Sequence, residues 1–269
     1  MVSIYPLVYL LMSSVSRSSL GVPFQEWVGG ENFSAALSDP AFTGSIWRSL
    51  AVSVVGSAFQ VGLGLVIALL LRQIVRGNAV VRTLILLPML TPPVMAAVMW
   101  KLLLDPNGGL LNAALSRLGL IDEPLSLLGS PVWSTVMIVL ADTWQWTPLA
   151  ALLIFAGLLA LPDEVYEAAQ MEGASSRQIF WHITFPLIQP VMLSVFMIKL
   201  IMSFKLFDLV YILTAGGPGN SSMLSGYLIF RTALREFNVG LASAQTLLFV
   251  LVVTVVTLPI AMLSKRVKW

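Results

Sequence analysis

Uncharged stretches alternate with short polar ones along this chain, and several of the uncharged stretches are too long for one face of a soluble helix. Ser49–Leu71 carries no charged residue, and neither does Phe237–Ser264. About 20 apolar residues suffice for a helix to cross the hydrocarbon core of a bilayer. Further helices are predicted over Arg82–Trp100, Trp133–Leu161 and Leu187–Leu213. Met1–Ser16 is uncharged but short, and Pro6 interrupts it. It lacks the basic start of a secretory signal, so it reads as the outer part of a first membrane helix whose beginning lies outside this chain. The prediction is an all-α, polytopic membrane protein. It has about six transmembrane helices, the first of them shortened, in a single transmembrane domain over residues 1–269.

Between the spans lie segments with turn chemistry. Arg17–Arg48 holds Gly21, Pro23, Gly29, Gly30 and Pro40, and Lys101–Pro131 holds Asp105, Pro106, Gly108, Gly109 and Asp122-Glu123-Pro124. Both are predicted loops. Pro88, Pro92 and Pro93 predict a kink in the third helix, which a membrane tolerates where protein or a cavity compensates. On the second helix Gly56, Gln60, Gly64 and Ala68 recur at steps of four, beside a row of Ser49, Ser53 and Ser57. Small residues at that spacing let another helix approach closely.

Composition removes the other classes. Hydrophobic residues make up 58% and charged residues 10%, against about 45–50% and about 25% in soluble domains. So few ionic groups could not cover a water-soluble enzyme, and the mean hydropathy of +0.90 is incompatible with disorder. The net charge of +2 includes no dense basic stripe, so nucleic acid is not a partner. The absence of cysteine rules out disulfides, thiolate nucleophiles and Cys-bound zinc. A single histidine, His182, excludes a multi-His metal site and reads as a surface or packing residue. No nucleophile–base constellation presents itself, which argues against an intramembrane hydrolase.

Lys and Arg near the span ends set the orientation. Arg72, Arg76, Arg82, Arg177, Lys265, Arg266 and Lys268 fall on one side; Arg17, Arg48, Lys101, Arg117, Arg231 and Arg235 are spread over longer segments on the other. Density in short loops decides, so the first set is placed in the cytoplasm, together with the 162–186 turn.

That turn is the most informative segment. Pro162 suits a first helical position, and Asp163, Glu164 and Glu167 place negative charge near a helix N-terminus. Gly173 is a left-handed stop. Ser175 and Gln178 have capping-box spacing, and Pro186 ends or bends the helix they start. Two short helices joined at Gly173 are predicted. The alanines of the first leave a shallow surface suited to another protein's groove; the other reading is a capped connector with no partner.

Residues 167–190 resemble the EAA loop of permease subunits in binding-protein-dependent ABC importers. Glu167, Ala168, Ala169 and Gly173 match its core, followed by Ala174, Phe180, Ile183 and Pro186, and Leu161-Pro162 and Tyr166 fit upstream. Glu172 stands where Asp is usual, and Phe185 where Leu is usual. Trp144-Gln145-Trp146-Thr147-Pro148 resembles the Trp-x-x-x-Pro segment of carbohydrate-type members, and Leu213-Thr214-Ala215-Gly216-Gly217-Pro218 their Leu-Thr-x-Gly-Gly-Pro signature. The subgroup is similar to the maltose-transporter permeases. Complete members begin with a basic cytoplasmic segment and a full first helix, which the start of this chain lacks.

The resemblance implies an importer subunit, not an enzyme, in the inner membrane of a bacterium or archaeon. It implies that residues 162–186 dock in a cleft of a cytoplasmic ATPase dimer. Glu167 would contact a basic residue there, Ala168 and Ala169 would allow close approach, and Gly173, flanked by Glu172 and Ala174, would make the turn. ATP and magnesium would be bound by that partner, because this chain has no Gly-x-x-x-x-Gly-Lys-[Ser/Thr] loop and so binds no cofactor itself. A second permease subunit and an extracytoplasmic solute-binding protein complete the implied assembly, with a carbohydrate or polyol as solute. A passive channel or secondary transporter is the alternative; it should show paired broken helices in two halves.

Ionisable groups inside the bilayer are costly and point to function. Asp142, Trp144, Gln145 and Trp146 lie mid-way along the fourth helix, with Trp144 about 16 Å from Trp133 at a helical rise. Tryptophans of the interfacial belt sit at span ends instead, as Trp47, Trp100, Trp133 and Trp181 do. Flat rings beside hydrogen-bonding groups suit a sugar; internally satisfied helix packing is the other reading. On the fifth helix Lys205 and Asp208, towards its outer end, are three apart and can pair on one face; snorkelling to the interface is the other reading. Lys199, about 18 Å from Leu187, needs a partner or water, and Asp142 is a candidate.

Overall fold

A computed structural model describes residues 4–74 and 79–266, and side chains within that range except those of 73–82 and 263–266. Arg76 and Lys268, used above for orientation, lie outside the described residues, as do the side chains of Arg82, Lys265 and Arg266. Helices dominate. Among the described residues the strands are a two-residue pair, β1 (Ser16–Arg17) and β2 (Glu26–Trp27), joined antiparallel.

The helices follow in chain order: α1 (Ile4–Ser14), α2 (Glu31–Ser38), α3 (Pro40–Ile74), α4 (Ala79–Leu90), α5 (Pro93–Leu103), α6 (Leu110–Arg117), α7 (Pro131–Leu159), α8 (Asp163–Met171), α9 (Ser176–Ile179), α10 (Phe185–Phe204), α11 (Asp208–Leu213), α12 (Ser225–Leu234) and α13 (Val239–Arg266), with a π-helical turn over Phe180–Thr184. Four spans, Pro40–Arg72, Pro131–Leu159, Ser176–Phe204 and Val239–Met262, are long and apolar enough to cross a bilayer, and the broken pair Thr83–Leu90 and Pro93–Leu103 would make a fifth. Ile4–Ser14 is apolar but only 11 residues long. Among the described residues four spans, or five with the broken pair, are thus long and apolar enough to cross, against the about six predicted.

The chain forms two compact units. Unit 1 comprises Met1–Ser53, Pro93–Ala141 and Phe204–Val256; unit 2 comprises Val54–Pro92, Asp142–Ser203 and Thr257–Trp269. In unit 1, α11 lies against α5 around buried Phe42, Val52, Ile138, Val210 and Tyr227. Of the predicted serine row Ser49 acts here, with Ser45 one turn earlier: Ser45 and Ser49 both hydrogen-bond the Ser225 hydroxyl at 3.1 and 3.2 Å, and Ser49 Oγ accepts from the Ser225 amide at the start of α12.

In unit 2, α3, α7 and α10 pack around Val61, Leu65, Ile154, Leu158 and Ile188. The small-residue face performs as expected. A Cβ on Gly64 would lie 2.9 Å from the Ala150 Cβ, and one on Gly157 2.8 Å from a Val191 methyl.

The structure departs from the sequence pattern at four places. First, α3 starts at Pro40 rather than Ser49. Asp39 Oδ1 accepts from the Ala41 amide at 2.8 Å, Pro40 holds the first position, and Arg48 is taken in by donating to the Met223 carbonyl at 2.9 Å. Second, the third helix does not kink but breaks, at Thr91 and Pro92, and Gln145 Nε2 donates to the Thr91 carbonyl at 2.9 Å. A side chain thus satisfies a backbone group beside the prolines. Third, the fifth helix stops at Phe204 and restarts at Asp208. Fourth, Pro186 does not end the helix begun at Ser176. The π turn carries the chain past it, with the Phe185 amide bonding the Phe180 carbonyl five residues back. Lengthening the turn moves the carbonyls with which the proline ring would otherwise collide.

Candidate functional site

Two groups of candidate residues fall within unit 2. One is the segment from α8 to α9. Asp163 and Glu164 occupy the first turn of α8, and Pro162 sits one position earlier, at its N-cap. At its end the Ala174 amide bonds the Ala169 carbonyl and the Gly173 amide the Gln170 carbonyl, each at 3.0 Å, with Gly173 at φ +76°. This pair of bonds around a left-handed glycine is a Schellman stop. The capping box that follows is complete: Gln178 Oε1 accepts from the Ser175 amide at 2.9 Å, and Ser175 Oγ from the Gln178 amide at 3.4 Å.

Glu167, Ala168, Glu172 and Gly173 are exposed, and Ala169 and Ala174 are half-buried. Three features were not singled out from the sequence. Met171 is 91% exposed at the end of α8, an unusual position for a large apolar side chain; its place one residue before the Glu-Gly stop was the available signal. Val165 is also exposed. The third is an anchor beneath the helix. Tyr166 is half-buried against the unit 2 core, with the Arg72 guanidinium 4.5 Å from its ring centre and its hydroxyl donating to Thr184 Oγ1 at 3.2 Å. His182 is exposed, with Nδ1 3.0 Å from the Gln178 carbonyl.

The second group lies midway along the spans. Asp142, Gln145 and Lys199 are all 5% exposed or less. Gln60 Nε2 donates to Asp142 Oδ2 at 2.5 Å, Lys199 Nζ lies 5.1 Å from the Trp146 ring centre, and the Asp142 and Lys199 charges interact. No direct ion pair joins those two. Of the seven span residues singled out from the sequence, the structure thus brings together Asp142, Trp146 and Lys199. Gln60, read above only as part of a packing face, completes the group. An amide inside an uncharged span always needs a partner, and that was the overlooked signal.

The remaining four go elsewhere. Gln145 serves the break at Thr91, and Trp144 is exposed. Lys205 and Asp208 belong to unit 1; α10 ends at Phe204 and α11 begins at Asp208, so the helical three-residue spacing that would let them pair is lost, and Lys205 is exposed. Also in unit 1, the loop at Leu213–Pro218 is stitched to itself. Ser222 Oγ donates to Thr214 Oγ1 at 2.8 Å and to the Gly217 carbonyl at 2.7 Å, and Thr214 Oγ1 accepts from the Gly216 amide. Gly216 adopts φ +82° with Met223 against it, where a Cβ would collide.

Comparison with known proteins adds an independent line. Residues 60–269 match the family described as the binding-protein-dependent transport system inner membrane component. The chain is 35% identical over 259 residues to the trehalose/maltose transport system permease protein MalF of Thermococcus litoralis, covering 96% of this chain and 87% of that one. It is 29% identical to the sn-glycerol-3-phosphate transport system permease protein UgpA of Agrobacterium fabrum, covering 97% of this chain and 88% of that protein. Among solved structures, a bacterial ABC transporter involved in the import of the acidic polysaccharide alginate contains a chain of the same fold. The TM-score is 0.85 at 22% identity, over 99% of this chain and 91% of that one.

Proposed function

We infer what this protein does from one premise: the chain belongs to the family of binding-protein-dependent transport system inner membrane components. It is the permease subunit of an ATP-driven importer in a prokaryotic inner membrane, and its solute is a carbohydrate or related polyol. The solute class rests on the names of its relatives, which include trehalose/maltose and sn-glycerol-3-phosphate permeases. ATP and magnesium are bound by a partner ATPase dimer. A second permease subunit and a solute-binding protein complete the assembly.

One observation carries the mechanism: α8 projects an exposed edge of Glu167, Ala168 and Met171, fixed in direction by the Schellman stop at Gly173. A helix held rigidly at its end and bare along its side is built to be pushed. The ATPase receives that edge in its cleft, closes on ATP, and moves α8. Glu167 meets a basic residue of the ATPase, and Met171 and Val165 supply the apolar contact. Asp142, Gln60, Trp146 and Lys199 hold the spans of unit 2 together at mid-depth, and Trp144, on the same helix, is exposed there toward the solute path.

The test uses the permease reconstituted with its ATPase, partner permease and binding protein. ATP-dependent uptake of labelled trehalose, maltose or glycerol 3-phosphate is expected, and Glu167→Lys should abolish ATPase co-purification. Uptake without any ATPase, the mark of a passive channel, or labelling of residues 163–179 from outside the cell, would overturn the proposal.

A further inference from the structure

We propose that Arg72 and Tyr166 form the joint through which α8 drives the bundle of unit 2. This rests on α8 being the ATPase-facing helix. No residue of α8 is fully buried, and its half-buried side chains are Tyr166 and Ala169, three apart and hence on one side. Ala169 has no reach, so a load on α8 passes through its two covalent ends and through the Tyr166 ring.

That ring has two partners on two different spans. Arg72 stands in the last turn of α3, and its guanidinium lies over the ring face, where the aromatic quadrupole attracts a cation. Thr184, buried in the π turn that leads into α10, receives the phenol hydrogen bond. Arg72 Nη2 also lies 3.7 Å from Asp163 Oδ1. This ion pair is the lesser contact, because the Asp163 side chain is 86% exposed and water screens it. The joint therefore ties one short helix to α3 by stacking and to α10 by a hydrogen bond.

The chain has no cysteine, so cysteines introduced at exposed Gln170 on α8 and Val66 on α3 take spin labels cleanly in the assembled transporter with cysteine-free partners. Pulsed EPR then reads the α8–α3 distance, nucleotide-free and after trapping with ATP and vanadate. A narrow distribution, unchanged by trapping, is expected. Arg72→Gln and Tyr166→Leu should leave the nucleotide-free width alone and at least double it on trapping. Arg72→Lys, which keeps the cation, should rescue, and Tyr166→Phe should behave as native.

Widths like the native one in Arg72→Gln after trapping would overturn the joint, even if Tyr166→Leu fails to fold. Broadening already present without nucleotide would mark an anchor for stability and also overturn it. If no ATPase assembles with the native chain, the proposed function falls, and the joint with it; loss of the joint alone is seen with the ATPase still bound.

Discussion

The α8–α9 segment and the mid-span group occupy the same compact unit but are built in opposite ways. Residues 163–179 are largely exposed, and the bonds that shape the turn at Gly173 and the start of α9 are local: Ala174 to Ala169, Gly173 to Gln170, Ser175 to Gln178; the reach of this segment to distant residues is through Tyr166 and Asp163. The mid-span group is buried, and its bonds reach across the sequence, with Gln60 and Asp142 82 residues apart. Exposure leaves the first free to meet another protein. Burial makes the second a matter of stability, where a polar atom gains from a partner inside the chain. Polar residues in a membrane protein thus carry two different messages, and exposure distinguishes them.

The comparison is sharpest where burial should matter most. Asp142→Leu takes away the acceptor of the Gln60 amide and the carboxylate whose charge interacts with buried Lys199; with no direct ion pair to break, it should cost less than the about 3–5 kcal/mol of a broken buried salt bridge. Asp142→Leu combined with Lys199→Met should be far less harmful than either change alone. Denaturant titration in detergent micelles reads this, and two singles as stable as the double would break the contrast. At Gly173 a smaller and different effect is expected. A Cβ there meets nothing within 4 Å, but φ is +76°, so the obstacle is the backbone. Gly173→Val costs about 1–2 kcal/mol in the turn, whereas Gly173→Asn, which visits that region, costs less. Quantitative ATPase co-purification should rank native, Asn and Val in that order; equal losses for Asn and Val would mean that bulk in the cleft, not the turn, is limiting. The smallest effect belongs to Ser175→Ala, which removes an N-cap worth about 1 kcal/mol. It should raise amide exchange over 176–179 and leave overall unfolding unmoved.

The same division explains what could be read in advance. The stop at Gly173 and the Ser175–Gln178 box depend on neighbours in sequence, and both appear where the pattern puts them; the uncharged runs mark the spans but not all of their ends. The start of α3 was equally local, in Asp39-Pro40, but Arg48 obscured it, because a charge inside a predicted span looks like an end until the Met223 carbonyl is seen to receive it. The Gln60–Asp142 bond was not legible, since no rule of spacing connects two helices that the loops leave free to pair in several ways. The Lys205–Asp208 spacing is the same problem in reverse: an i, i+3 relation holds only within one helix, and the helix pauses between Phe204 and Asp208.

The π turn at Phe180–Thr184 has a consequence for anyone mapping the lipid-facing side of the fifth span. One surplus residue in a helix shifts everything beyond it by about 100° around the axis. A helical wheel drawn straight through Ser176–Phe204 therefore assigns Arg177 and Trp181 to azimuths that α10 does not share. Scanning mutagenesis or accessibility data from the two sides of Thr184 should be plotted on separate wheels, offset by that angle.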